Sequence, residues 1–428
     1  MTRGDNRSFR ALVGAQFLGA FNDNLFKQLM LFLAAGYLFR DRDVQGLAFA
    51  VFALPFVLFS GLAGDLSERF SKRTIIFRMK VAEIAIMLLG VIAFATLSWT
   101  FMLVVLFLMG TQSAFFGPSK YGVIPELMPA DRLLRANGVI SMTTFAAILF
   151  GQALAGPLLD GFGDRLYLPA IICVAFAVAG TIIAGRMLPL APQNPEQVIP
   201  RQPFGHVFST MKHLAAEKGL LRFVLLNSLF WFNGGVVQQA IVSFGESRYL
   251  DIGIGEKRLL SYILVTLSLS IIAGSMMVPF ISRRIGMGRT VVVGTVLMAL
   301  GQLSLLGVGI LFNGSGGGLF IVHAQMVVIG ASGAMFVVPI QTYLQHAPAP
   351  GKKGQTFAVN NFMNFLFMFL GGIYYLVARM PALDIGPTVA QALSAVLVLS
   401  FLVFHRRLVG KITLDTARGT LPPRPRTR

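Results

Sequence analysis

The chain has 428 residues, 55% of them hydrophobic and only 13% charged, with a mean hydropathy of +0.72. A dozen helices of about 20 apolar residues would absorb most of that length, so the composition excludes a sizeable soluble domain and points to an all-α, polytopic membrane protein. The formal charge of +18 is scattered between apolar runs and lacks the folded basic surface of a nucleic-acid-binding protein, and the single cysteine, Cys173, rules out an intrachain disulfide or a cysteine metal cluster.

Arg3, Arg7 and Arg10 precede a first apolar stretch too long and too interrupted by polar residues for a cleaved signal peptide, so it is read as the first span. Twelve spans are predicted, near 11–38, 45–64, 75–97, 101–117, 139–159, 166–188, 220–242, 259–281, 290–312, 319–340, 356–378 and 388–404. With the N-terminus inside, the inner segments collect 28 Lys and Arg and the outer loops seven, with Lys27 left in the first span. That asymmetry predicts both termini in the cytoplasm. The Pro189–Pro203 linker holds five prolines and reads as irregular chain. Beyond it, Phe204, Val207, Phe208, Met211 and Leu214 recur at helical spacing, which suits either a helix on the inner membrane surface or a plain connector. The division expected is 1–188 for one six-helix bundle, 189–219 for the cytoplasmic linker, 220–404 for the second bundle and 405–428 for a basic tail, disordered or loosely bound to anionic lipid.

The two bundles repeat one another. Phe21-Asn22 with Gln28 recurs as Phe232-Asn233 with Gln239, an offset of 211. Gly61 matches Gly274 at 213, Arg73-Thr74 matches Arg289-Thr290 at 216, Pro118 matches Pro339 at 221 and Asn137 matches Asn360 at 223. A slowly drifting offset through successive landmarks predicts two parallel six-helix repeats, the major facilitator fold, with a substrate cavity between them.

Charged and amide side chains inside spans are the candidate site, because a charge at mid-bilayer costs about 2.5–3.5 kcal/mol even on permissive insertion scales. Gln16, Asp23 and Lys27 share one helical stripe, with Asp23 and Lys27 spaced to form an i,i+4 ion pair. Asn22, Asn24 and Gln28 surround that pair with more hydrogen-bonding capacity than self-neutralisation needs. The matching stretch of span 7 offers Asn233, Gln238 and Gln239 beside Trp231, and span 11 offers Asn360, Asn361 and Asn364. Together these predict a polar cavity wall, although interhelical bonding explains any one amide equally well. Lys80 and Glu83 are spaced for a local ion pair near the inner interface. Asp65, followed by Arg69 and Arg73, reads as a charged inner gate together with Glu126, and Lys120 is placed either to contact phosphate or to pair with Glu126. His206, His213, His323, His346 and His405 are too scattered for a metal site, and no phosphate-binding Gly-rich loop or His/Asp acyltransferase motif is present. No cofactor and no enzymatic reaction are expected.

Phe21-Asn22-Asp23-Asn24, Gly117-Pro118-Ser119-Lys120-Tyr121-Gly122 running to Pro125-Glu126-Leu127, and Arg135-Ala136-Asn137-Gly138 together resemble the bacterial lysophospholipid transporters. Phe336-Val337-Val338-Pro339, Gln345-His346 and Asn360-Asn361 resemble the transporter half of proteins fused to acyltransferase and acyl-ligase domains. The resemblance implies inward flipping of lysophospholipids, chiefly lysophosphatidylethanolamine, across a Gram-negative inner membrane by a monomer, for reacylation inside, with membrane lipids and an acyltransferase as the other expected partners. It assigns Asp23 as a cavity carboxylate and Lys120 as a basic contact. The family's span-7 arginine falls at Gln238, a neutral amide, which leaves Lys27 to supply positive charge for phosphate. The competing readings are a proton-coupled exporter of amphipathic drugs or siderophores, with Asp23 or Glu83 as proton site, and a membrane lipid acyltransferase.

Overall fold

The computed structural model describes residues 3–37, 43–128, 133–163, 165–192, 194–196, 211, 220–246, 250, 256–311, 317–346, 353–383 and 385–404. Twelve long helices account for most of them: α1 (Arg3–Phe32, extended by a π-helical turn at Leu33–Tyr37), α2 (Gln45–Arg69), α3 (Lys72–Ala95), α4 (Trp99–Gly122), α5 (Leu133–Phe162), α6 (Tyr167–Gly185), α7 (Leu220–Glu246), α8 (Lys257–Ile285), α9 (Met287–Leu311), α10 (Gly317–His346), α11 (Lys353–Ala378) and α12 (Pro387–Phe404). A single turn, Ile124–Leu127, follows α4. Each helix lies on one of the predicted spans, and several run a turn or more beyond it, because a helix continues through the polar membrane interface after its apolar run has ended. Among the described residues, ten helices are long and apolar enough to cross a membrane. The other two, α1 and α3, carry the charged residues that set the site. Linker residues 189–192 are irregular, as predicted. The predicted surface helix, apart from Met211, and the tail from His405 lie outside the described residues.

Connections are tight where the sequence permits. Gly286 alone separates α8 from α9, and its φ of 87° is a conformation in which a side chain would be strained.

The internal repeat predicted from sequence is visible in the packing. In the first half α1 lies on α5 and α6, α2 on α4, and α3 on α4 and α6. The second half reproduces each contact: α7 on α11 and α12, α8 on α10, and α9 on α10 and α12. The halves meet along two seams, α2 with α11 and α5 with α8, which interchange under the same repeat. Both seams depend on small residues. A Cβ on Gly372 would lie 2.7 Å from the Ala50 backbone nitrogen, and one on Gly156 would lie 2.3 Å from the Lys257 carbonyl oxygen. Backbones pack this closely because apolar side chains gain nothing by leaving lipid, so dispersion and short polar contacts must hold membrane helices together. Further along the first seam, Phe56 stacks flat on Phe365 at 3.8 Å.

Candidate functional site

The polar residues of α1 divide among three neighbours. Gln16 is buried and turns toward α5, donating from Nε2 to Thr143 Oγ1 at 2.9 Å and accepting from Thr144 Oγ1 at 3.1 Å. Asn22 turns toward α3 and donates to Glu83 Oε1 at 3.0 Å. Asp23 turns toward α4, where Ser113 Oγ donates to its Oδ2, while Oδ1 is buried with no hydrogen-bond partner.

The second half repeats the first two arrangements. Asn227 stands 211 residues after Gln16 and ties α7 to α11, donating to Asn360 Oδ1 at 3.1 Å and Asn364 Oδ1 at 3.0 Å. Asn233, the counterpart of Asn22, accepts from Ser394 Oγ at 2.8 Å and contacts the Met298 sulfur on α9 at 3.8 Å. Gln16, Asn22, Asn233, Asn360 and Asn364 are therefore fastened inside their own halves. The expectation that they form one shared polar wall is corrected to that extent. A buried amide must satisfy donor and acceptor together, and the next helix of its own bundle supplies the nearest partners. Asn361 is exposed.

The expected Asp23–Lys27 ion pair is also corrected. Lys27 Nζ bonds instead to Asn24 Oδ1 at 3.3 Å and sits over the rings of Phe49 and Phe52, 5.6 and 5.2 Å from their centroids. The i,i+4 spacing puts both residues on one stripe, but Asp23 leans to α4 and Lys27 to the aromatic face of α2. Such cation–ring contacts are worth about 2 kcal/mol when desolvated, and Lys27 is only 6% exposed. Asn24 also donates to the Ala20 carbonyl at 2.8 Å.

Around Lys27 the halves touch. Gln238 Nε2 donates to Gln28 Oε1 at 2.7 Å, leaving Gln28 Nε2 buried without a partner. A Cβ on Gly235 would lie 2.7 Å from the Phe49 ring, so the glycine of α7 admits the ring that faces the Lys27 ammonium. Gln239 bonds to its own helix at Gly235, 3.0 Å away, and does not join the patch through its amide nitrogen. The patch thus comprises Asp23, Asn24, Lys27 and Gln28 of α1, Phe49 and Phe52 of α2, Ser113 of α4 and Gly235 and Gln238 of α7. It holds an anion and a cation that are not paired with each other, each supported by neutral groups, so it is suited to a solute carrying both charges.

A second pair lies deeper in the first half. Lys80 and Glu83 form an ion pair with both side chains 1% exposed, two to three turns inside α3. A Cβ on Gly19 would lie 2.9 Å from Lys80 Nζ, so α1 leaves room for the ammonium. Their spacing predicted the pair. The expected place near the inner interface is corrected, since both side chains are fully buried and Lys80, grouped by sequence with the inner basic residues, belongs to the bundle interior.

At the end of the molecule carrying the α2–α3 connection, Glu126 pairs with Lys72 at 2.8 Å, so of the two contacts open to Lys120 the pairing with Glu126 is not the one formed. Ser119 donates to Ser67 at 3.2 Å, and a Cβ on Gly122 would lie 2.6 Å from Lys72 Cε. The Gly117–Gly122 phrase thus fastens α4 to the end of α2 through Ser119 and to the start of α3 through Gly122. Lys120 stands over the Tyr121 ring at 4.6 Å. Arg69 lies over Phe70, Arg73 reaches the Met187 carbonyl at 3.3 Å, and Asp65 is half-buried one turn before the end of α2.

At the opposite end, sequence reasoning missed a cluster that joins the halves. Asp43, just before α2, accepts from Ser243 Oγ, from Tyr375 Oη at 3.1 Å and from Gln45 N at 3.1 Å, and its Oδ2 lies 3.6 Å from Arg379 Nε. Gln45 Nε2 adds a bond to Ser243 Oγ at 2.9 Å. On the other seam Asp160 accepts from the backbone nitrogens of Lys257 at 2.9 Å and Arg258 at 2.8 Å, capping α8 from the neighbouring half. Asp43 was not among the sequence-based candidates, and its one local signal is an acidic residue two positions before a span.

The model of the Major Facilitator Superfamily matches residues 12–372. Among curated proteins the chain is 28% identical over 421 residues to the lysophospholipid transporter LplT of Escherichia coli O1:K1 / APEC, covering 94% of this chain and 97% of that one. It is 27% identical to the LplT of Enterobacter sp. (strain 638), with the same coverage. Among solved structures it is similar to a POT family transporter in complex with 5-aminolevulinic acid (TM-score 0.72, 14% identity, 95% of this chain and 97% of that chain). It is also similar to an inward-facing, unoccupied bacterial homologue of the human lysosomal transporter Spinster (TM-score 0.66, 14% identity, 97% and 99%). The chain belongs to the major facilitator superfamily, a family of membrane transporters and not of enzymes.

Proposed function

We propose that the protein is a lysophospholipid transporter that moves lysophosphatidylethanolamine-type lipids from the outer to the inner leaflet of a bacterial inner membrane by alternating access. The relatives aligned along nearly its whole length are named lysophospholipid transporters, which supports the lipid class. One observation supports the headgroup assignment. Asp23 and Lys27 lie four residues apart on α1, a rise of about 6 Å, and are bonded to neutral partners instead of to each other. A phosphoethanolamine head presents an ammonium for the free oxygen of Asp23 and a phosphate for Lys27 and the free Gln28 amide. Lys27 takes the role that an arginine of α7 would otherwise fill, since Gln238 is neutral.

The excess of basic residues on the side of the termini orients the end bearing Asp43 and Asp160 outward. The contacts of Asp43 and Asp160 then join the two halves on the outer side of the central site. The inner end, with Lys120, Arg69 and Arg73, delivers the lipid to a cytoplasmic acyltransferase, and the single chain carries out transport alone. Purified protein in liposomes, offered defined lysolipids with and without ion gradients, tests this reading. Lysophosphatidylethanolamine should cross at a protein-dependent rate and compete with other lysolipids. Transport of a cationic dye driven by a proton gradient, without competition by lysolipid, would replace this reading with the exporter.

A further inference from the structure

A lysine ammonium carries three N–H donors, and in a dry interior its charge needs compensating neighbours. The contacts described for Lys27 are all with neutral groups: Asn24 Oδ1 at 3.3 Å, and the rings of Phe49 and Phe52, whose centroids lie 5.6 and 5.2 Å from Nζ. The carboxylate of Asp23, four residues away on the same helix, is the more powerful attractor, and acid before base at this spacing is the favourable order for a helical ion pair. Two fixtures keep the charges apart. Ser113 holds the carboxylate toward α4, and Asn24 donates to the Ala20 carbonyl at 2.8 Å, which leaves its oxygen to the ammonium. The rings are fixed in turn. Phe52 meets Phe56 edge-on with 5.7 Å between centroids, and Phe49 is buried with Gly235 of α7 against the tip of its ring.

We propose that Phe49 and Phe52 are positioning residues, whose ring faces hold the Lys27 ammonium charged and away from Asp23 so that both remain available to one zwitterionic headgroup. This role rests on the lysophospholipid reading. An aromatic face attracts a cation through its quadrupole and carries no net charge, so it stabilises the ammonium without cancelling its field. A phosphate that displaces Asn24 or a ring then exchanges a neutral contact for an ionic one. A phosphate that had to displace Asp23 would exchange one ion pair for another and strand a buried carboxylate. Gly235 is part of the device, because a Cβ there would lie 2.7 Å from the Phe49 ring, whereas a Cβ on Gly234 would meet nothing within 4 Å. A methyl group at Gly235 must move the ring, and one at Gly234 enters open space.

The test uses full-length protein in liposomes, with mono-, di- and trifluorophenylalanine placed site-specifically at Phe49 or at Phe52. KM and kcat for flipping of lysophosphatidylethanolamine are read for each. Every fluorine withdraws electron density from the ring face and leaves its size nearly unchanged, so a ring that only fills space is indifferent to the series. KM should climb with fluorine number at both positions, by about tenfold for the trifluoro ring, while kcat stays constant. Gly235→Ala should raise KM in the same direction, and Gly234→Ala should leave it unchanged. A flat fluorine series in a protein that flips the lipid would overturn the role of the rings and leave the lysophospholipid reading standing. A falling kcat at constant KM would overturn that role too, because it would place the rings in the conformational step and not in holding the ammonium. Absence of flipping by the wild type would overturn the lysophospholipid reading, and the role of the rings with it.

Discussion

Replacing Lys80 by methionine is the sharpest test of how the first half tolerates charge. The ammonium and the Glu83 carboxylate are each 1% exposed and pair inside α3, and the second carboxylate oxygen accepts from Asn22 at 3.0 Å. Methionine nearly matches the lysine stem, so little packing is lost, but Glu83 is left as a buried charge with one neutral donor. Breaking a buried pair from one side costs about 3–5 kcal/mol. Removing both charges, as in Lys80→Met with Glu83→Gln, leaves an amide that Asn22 can still bond and costs under about 1.5 kcal/mol. Unfolding of the four proteins in mixed micelles, analysed as a double-mutant cycle, should therefore give a double variant more stable than Lys80→Met. A double variant as unstable as the single one would refute the view that this pair is a self-contained structural unit.

Three further outcomes follow from particular contacts. Gly122→Val places a side chain within 2.6 Å of Lys72 Cε, so it should break the Lys72–Glu126 pair and lower stability by about 1–3 kcal/mol, read by the same unfolding assay. Lys120→Ala should lower lysolipid transport more than Arg78→Ala at equal membrane abundance, whereas equal activities would leave Lys120 as an ordinary basic residue of the inner side. An impermeant thiol reagent should label Leu383→Cys from outside intact cells and Glu196→Cys only after the membrane is opened, and the reverse pattern would invert the orientation.

Spans, repeat and family were legible because they depend on run length and on landmarks such as Phe21-Asn22 and Phe232-Asn233. Helix rotation was not legible. In a soluble helix the apolar face marks the core, but lipid and bundle interior are equally apolar, so nothing in α1 says that Gln16 faces α5, Asn22 faces α3 and Asp23 faces α4. The same blindness turned a shared stripe into an expected Asp23–Lys27 pair, when the aromatic face of Phe49 and Phe52 competes for the lysine. Asp43 was hidden for a different reason. Its partners Ser243, Tyr375 and Arg379 are some 200 and 330 residues away, and no local pattern links a loop carboxylate to them.

The central claim is that Asp23 and Lys27 bind the two charges of a lysolipid headgroup and are not a neutral structural pair. Lysophosphatidylethanolamine transport by the double variant Asp23→Asn with Lys27→Gln, reconstituted beside the wild type and both single variants, tests it most directly. Since the two side chains are held by Ser113 and Asn24 and not by each other, all three variants should insert and fold. All three should lose transport, and Asp23→Asn should lose more with lysophosphatidylethanolamine than with a lysolipid lacking the amine. A double variant that folds and transports at the wild-type rate would contradict the account.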